Sequence, residues 1–154
     1  MNLVLNFKDS ETVNKFHSQA AQDIFVLSCL DGKSNGTFLD LGCHHPVHIN
    51  NTFLLEDKFN WHGVSIDVEK SFIDMFSCRK TIALCQDATN LDFDSIRSLI
   101  GTNHIDYLSL DLEPASTTDT CLKSIPFNDI QFSLITYEHD LYRFGESYRN
   151  SART

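Results

Sequence analysis

The stretch FLDLGCHHP, residues Phe38 to Pro46, decides how the rest of the chain is read. An apolar run that carries an acid and ends at a glycine has the form of a buried strand turning sharply at its carboxyl end, as many nucleotide-binding loops begin. The residues that follow depart from that form. His44, His45 and Pro46 stand where flexible glycines are usual. Proline fixes φ and carries no N–H, so the loop is expected to be stiff and to offer a ligand one amide fewer.

Working outward, the strand at 37–41 is one of a series. Upstream, Ser18 precedes QAAQDIFVLSCL, in which Ala21, Ile24, Phe25 and Leu27 recur at helical spacing until Gly32 stops the run. Downstream, strands are expected at 63–67, 81–85, 105–113 and 132–138. Helical patterns separate them at 52–59, 71–77, 93–100 (closed by Gly101) and 118–124, with a last helical start at 140–150. Strands that alternate with helices of about ten residues pair in parallel through right-handed crossovers. The expectation is an α/β fold, an open parallel sheet of about five strands, built as a single domain over residues 1–154.

Composition bounds the function. A hydrophobic content of 42% with 12 phenylalanines suffices for one packed core. Acids outnumber bases 21 to 12, a formal charge of −9, which argues against nucleic acid, since that polyanion is bound by Lys and Arg. The opening MNLVLNFKDS lacks a charged, then apolar, leader, and no run of about 18 apolar residues could span a bilayer. A cytoplasmic location without a membrane span is expected. Cys29, Cys43, Cys78, Cys85 and Cys121 are odd in number and form no CxxC pair, so most are expected to be reduced core residues. Trp61 is expected to seal the sheet against a helix, and Phe72, Phe76 and Phe93 to pack in the core. Tyr142, Phe144 and Tyr148 are candidates to face a partner.

Acids stand at the carboxyl ends of the strands, where open α/β sheets bind ligands. Asp40, Asp67, Asp87, Asp111 with Glu113, and Glu138-His139-Asp140 follow the five strands in turn. Any one of them could cap the next helix. Asp67 lies 25 residues beyond Gly42, close to the spacing at which an acid takes ribose hydroxyls. The G-x-G-x-x-G fingerprint is absent, which counts against a pyrophosphate and hence against NAD. A nucleoside ligand without phosphate needs one tight turn, an acid for the ribose and a polar group for the adenine amine, for which Asp87 is placed. S-adenosylmethionine is such a ligand.

Over roughly residues 18–150 the chain resembles the FkbM-type methyltransferases, a branch of the class I S-adenosylmethionine-dependent fold. The resemblance rests on SQAAQD (18–23), FLDLGC (38–43), NNTFLLE (50–56), WHGVSID (61–67), IDYLSLDLE (105–113) and YEHD (137–140), in that order. It departs at His44-His45-Pro46, and again at Pro114 and Ser116, where Gly and Glu are customary. It implies a three-layer Rossmann-like sheet with its five strands in the order 3-2-1-4-5, and a cofactor site of Asp40, Gly42, Cys43, His44, Asn51, Thr52, Asp67, Asp87 and Asp111. It also implies a catalytic group of Asp111, Glu113, Glu138 and His139, and the cofactor product S-adenosylhomocysteine.

The implied reaction moves a methyl group to a hydroxyl oxygen of a small molecule, sugar or lipid, with His139 or a carboxylate as base and Asp111 steering the positive charge. Mg²⁺ on Asp111, Glu138 and His139 is a second, less favoured arrangement, and Zn or Ni on His44, His45 and His48 a third. The family fold continues with two more strands beyond this sequence, so the fifth strand is expected to be an open edge, and either a second copy of the chain covers it or the sequence is a fragment of a longer one. The competing expectation is a catalytically incomplete or vestigial cofactor-binding module of the same fold.

Overall fold

The structure, a computed structural model, describes residues 5–138. Strands β1 (Thr37–Leu41), β2 (His62–Asp67), β3 (Ile82–Cys85), β4 (His104–Leu110) and β5 (Gln131–Tyr137) form one sheet in the order β3-β2-β1-β4-β5. All four pairings are parallel. The α/β, Rossmann-like open sheet is therefore as expected. Strand order reverses between β1 and β4, and their carboxyl ends frame the crevice in which such sheets take ligands.

Helices α1 (Gln22–Cys29), α2 (Phe53–Phe59), α3 (Lys70–Ile73), α4 (Phe93–Ile100) and α5 (Ala115–Ser124) connect and flank the strands. The period of two in the strands separates two cores. Leu39, Leu41, Leu108 and Leu110 join Ile96 of α4 and Cys121 of α5 on one face. Phe38 and Tyr107 join Ile24 and Leu27 of α1 and Leu55 and Phe59 of α2 on the other. Trp61 lies in this second core, fully buried, with its indole N–H donating to the Lys33 carbonyl at 2.6 Å, as the sealing role requires. Gly101 ends α4 at φ +88°, a left-handed conformation that glycine adopts without strain.

Several boundaries differ from the sequence reading. β4 stops at Leu110 instead of running to residue 113, because the Thr118 hydroxyl takes over both backbone groups of Leu112, receiving its N–H at 3.0 Å and donating to its carbonyl at 2.7 Å. Pro114 then caps α5, which starts three residues earlier than expected. Residues 71–77 are not one helix: α3 is a single turn from Lys70, followed by a 3-10 segment over Asp74–Cys78. Ser18 is not the N-cap of α1; Ala21 holds that position at φ +58°. Ser18 instead donates its hydroxyl to Asp23 at 2.6 Å and accepts the Asp23 amide at 3.3 Å, supporting the first turn from a distance.

The cysteine expectation is corrected. All five are free thiols, yet only Cys43 and Cys121 are buried, while Cys29, Cys78 and Cys85 are exposed. The exposed three stand at the ends of elements: Cys29 at the end of α1, Cys78 at the end of the 3-10 segment and Cys85 at the end of β3. Phe76 and Phe93 are buried as expected, but Phe72 is only half-buried and its ring stacks on His44 with centroids 3.9 Å apart. His139, Asp140, the helical start at 140–150 and Tyr142, Phe144 and Tyr148 lie outside the described residues. Among the described residues no helix is long and apolar enough to cross a membrane.

Candidate functional site

The site is organised by the bend after β1. Gly42 has φ +84°, and its N–H and that of Cys43 both donate to the Ile66 carbonyl of β2, at 2.9 and 3.1 Å. A Cβ on Gly42 would sit 1.8 Å from the Asp111 carbonyl oxygen. The ends of β1, β2 and β4 thus meet at a residue that has no room for a side chain. The next turn carries His44 into the left-handed region, φ +49°, where its amide donates to Asp67 Oδ2 at 2.9 Å. Asp67 Oδ1 takes the Glu69 amide at 2.9 Å, so the acid that ends β2 is fixed by two backbone donors.

Beyond this bend lies a cleft of about 610 Å³, a size ordinary for a small-molecule site. Of the residues expected from sequence, Asp40, Gly42, Cys43, His44, Asn51, Asp67, Asp87, Asp111 and Glu113 line it. Thr52 does not. It is fully buried behind the wall, with its hydroxyl donating to Asp40 Oδ2 at 2.9 Å, and it holds the site instead of touching a ligand. Glu138 is not in the cleft wall either. It follows β5, and its amide donates to the Leu110 carbonyl at 2.9 Å, continuing the sheet ladder one residue further. His139 lies outside the described residues.

The cleft is electrostatically one-sided. Among the described residues five carboxylates line it, from Asp40, Asp67, Asp87, Asp111 and Glu113, and no Lys or Arg does. Asp87 accepts both the amide and the hydroxyl of Thr89 on Oδ1, at 2.9 and 2.7 Å, and these bonds hold its carboxyl below the usual carboxylate range. Asp40 is the opposite case. Burial pushes its carboxyl up to about 6, against the lowering effects of the Thr52 and Ser109 hydroxyls and of Arg79. Burial likewise pushes the Cys43 thiol far above its ordinary value, so this cleft cysteine is not a thiolate nucleophile.

Behind the wall stands a residue that the sequence reading missed. The Arg79 side chain is completely buried, with Nε 3.1 Å from Glu56 Oε1, close enough for an ion pair though off the hydrogen-bond angle. Its Nη1 donates to the Pro46 carbonyl at 2.7 Å and to Asn50 Oδ1 at 3.2 Å, and its Nη2 to the Thr52 hydroxyl at 3.3 Å. The guanidinium also lies over the rings of Phe53 and Phe76, 5.4 and 5.6 Å from their centroids. Glu56 is satisfied in turn by the amides of Lys80 and Thr81, at 2.8 and 3.1 Å. One cation therefore ties α2, the loop after β1 and the start of β3 together. No local pattern marks it, since its partners lie 23 to 33 residues away in sequence.

Gln19, Ile49, Val68, Phe72, Gln86 and Thr117 also line the cleft and were not foreseen as doing so. Among the described residues no group of three or more His, Cys, Asp or Glu side chains is placed to hold a metal ion, and His44, His45 and His48 do not converge as ligands. No protein-family model matches this chain, and no curated protein matches it in sequence.

Proposed function

We propose that the cleft binds S-adenosylmethionine and that the protein is a methyltransferase acting on a hydroxyl oxygen of a small molecule, sugar or lipid. The observation that carries this reading is the meeting of Gly42, Asp67 and Asp87, distant in sequence, around one cleft to which the described residues bring five carboxylates and no basic side chain. Such a cleft repels phosphates and favours a ligand that brings positive charge together with hydroxyl and amine donors. The residues present fit that ligand. Asp67 would accept ribose hydroxyls, Asp87 the adenine amine, and Asp40 and Asp111 would attract the cationic end, while Gly42 makes the tight turn that brings the ends of β1 and β4 together at the cleft.

When bound, the cofactor supplies an electrophilic methyl group. The chain's own part is to hold an acceptor beside it and to take the acceptor's proton. Asp111 and Glu113, both in the cleft wall, are the groups for that task. A cofactor-binding module without turnover is the second reading, and Glu138 favours it, because this member of the expected catalytic group stands outside the cleft wall. Among the described residues β5 pairs only with β4, which leaves room in either reading for a second copy of the chain along that edge.

Calorimetry with S-adenosylhomocysteine tests both readings. Binding is expected, and Asp67→Asn is expected to weaken it about tenfold or more by removing a charged acceptor. A methyl-release assay then separates the two: turnover supports the methyltransferase, binding without turnover the module. Absence of binding by the unsubstituted chain overturns both.

A further inference from the structure

Val47 is held from both sides by histidine. His17 Nδ1 lies 3.0 Å from the Val47 carbonyl oxygen, while the Val47 amide donates to His45 Nδ1 at 3.1 Å. The His48 amide donates to the same His45 nitrogen, also at 3.1 Å. Pro46, between them, has no N–H to offer. The backbone partners dictate the tautomers. A carbonyl only accepts, so His17 Nδ1 must carry hydrogen. Two amides only donate, so His45 Nδ1 must be bare, with the ring neutral and its proton on Nε2.

The two rings therefore answer acid in different ways. His17 keeps its bond to Val47 whether neutral or cationic. His45 cannot take a proton on Nδ1 without losing both amides at once. The groups around it favour the neutral ring: the His48 imidazole, 4.8 Å away between centroids, and the His44 imidazole, while the Arg79 guanidinium bonds the Pro46 carbonyl next in the chain. The nearby acids are engaged elsewhere, Asp67 by the His44 and Glu69 amides and Asp23 by the His17 and Ser18 amides. Burial first, and then the two neighbouring histidines, hold His45 below the ordinary histidine range.

What this turn controls is the cleft. The segment from Cys43 to Asn51 supplies Cys43, His44, Ile49 and Asn51 to the wall. The Asn50 amide also donates to the His17 carbonyl at 3.1 Å, coupling the segment to the strap that carries Gln19 into the same wall. We propose that His45 is a positioning residue for this wall, and that its protonation releases the 45–48 turn so that the cleft loosens in acid.

The test is side-chain and amide NMR of the unliganded full chain, titrated from about pH 8 to about pH 5. His45 is expected as the Nε2–H tautomer at the upper end, titrating at lower pH than an ordinary histidine. On its protonation, amide-exchange protection at Val47 and His48, corrected for intrinsic rates, is expected to fall about tenfold. His45→Asn keeps a side-chain oxygen that accepts such amides and removes the titration, so protection should persist into acid. His45→Ala should lose it at every pH. An Nδ1–H tautomer at the upper end, protection that does not change as the ring titrates, or an Asn variant with the original pH dependence would each overturn the proposal; should the variants not fold, the first two readouts decide. No ligand enters this experiment, so its failure leaves the cofactor reading intact, and failure of S-adenosylhomocysteine to bind leaves the latch intact.

Discussion

On the β1–β2–β3 side of the cleft each acid is set by neighbours that leave it little choice. Asp67 takes the amides of His44 and Glu69, Asp87 takes two donors from Thr89, and Asp40 is buried against the Thr52 hydroxyl. On the β4–β5 side, Asp111 and Glu113 ride on the short connection between β4 and α5, and Glu138 follows β5 outside the cleft wall. The first wall is preorganised for recognition, since its charges are fixed before a ligand arrives. The second wall carries the groups that chemistry would need, Asp111 on backbone still bonded to the Leu41 carbonyl of β1 and Glu113 beyond Leu112, whose backbone groups Thr118 takes. On the proposed function, binding and turnover would then be separable, one wall at a time.

The largest effect is expected where the first wall is anchored. Arg79→Met removes the cation paired with Glu56 across this junction and strips donors from Pro46, Asn50 and Thr52. Removing one partner of a buried pair leaves an uncompensated charge and typically costs about 3–5 kcal/mol. Urea denaturation should show a loss of that size, with ligand affinity falling alongside it. A loss under about 1 kcal/mol would mean that the wall is held by its backbone bonds alone and that Arg79 does not organise it.

Asp40 offers a sharper probe of the same wall. Its carboxyl is raised to about 6 in the fold from an ordinary value of 3.8, so between those values the folded state binds more protons than the unfolded one. Its contribution is fully present below the unfolded value and is lost as pH rises through the folded value. At neutral pH the buried carboxylate then costs about 2–3 kcal/mol. Asp40→Asn, which copies the shape of the protonated acid, should be more stable than the parent above about pH 7 and should flatten this part of the stability profile. A variant less stable at neutral pH would show that the Thr52 and Ser109 hydroxyls more than offset burial.

Much of this was legible in the sequence because it is local. The apolar strand patterns located all five strands, and the alternation with helices set their parallel pairing, while their order came from the resemblance. Gly42 and Asp67 were readable as a pair, since one bend and one strand-end acid make a recognisable spacing. What escaped depended on contacts between distant segments. Arg79 looks like any surface base in SCRKT until Glu56, Asn50 and Thr52 are brought around it. Thr52 reads as a ligand group beside Asn51, yet folding turns one inward and the other into the cleft. The end of β4 was misplaced because the acid alternation continues to Glu113, while the interaction that stops the strand comes from Thr118. Phe72 has core spacing on its own segment, and only the left-handed turn at His44 gives it a stacking partner.

The smallest effect is expected at Glu138, and it decides how far the asymmetry goes. Glu138→Gln changes a charge beyond the end of β5 while leaving Gly42, Asp67 and Asp87 untouched, so the dissociation constant for S-adenosylhomocysteine should stay within about twofold of the parent value. A tenfold change would place the β5 end in contact with the ligand and erase the distinction between the walls. If binding holds, the methyl-release rate carries the remaining information. A fall in kcat with unchanged affinity assigns Glu138 to the acceptor side of the reaction, because an interaction made only in the transition state lowers turnover without moving ground-state binding. An unchanged kcat in an active enzyme leaves Asp111 and Glu113 as the described acids that can receive the acceptor's proton, and confines the chemistry to the turn between β4 and α5.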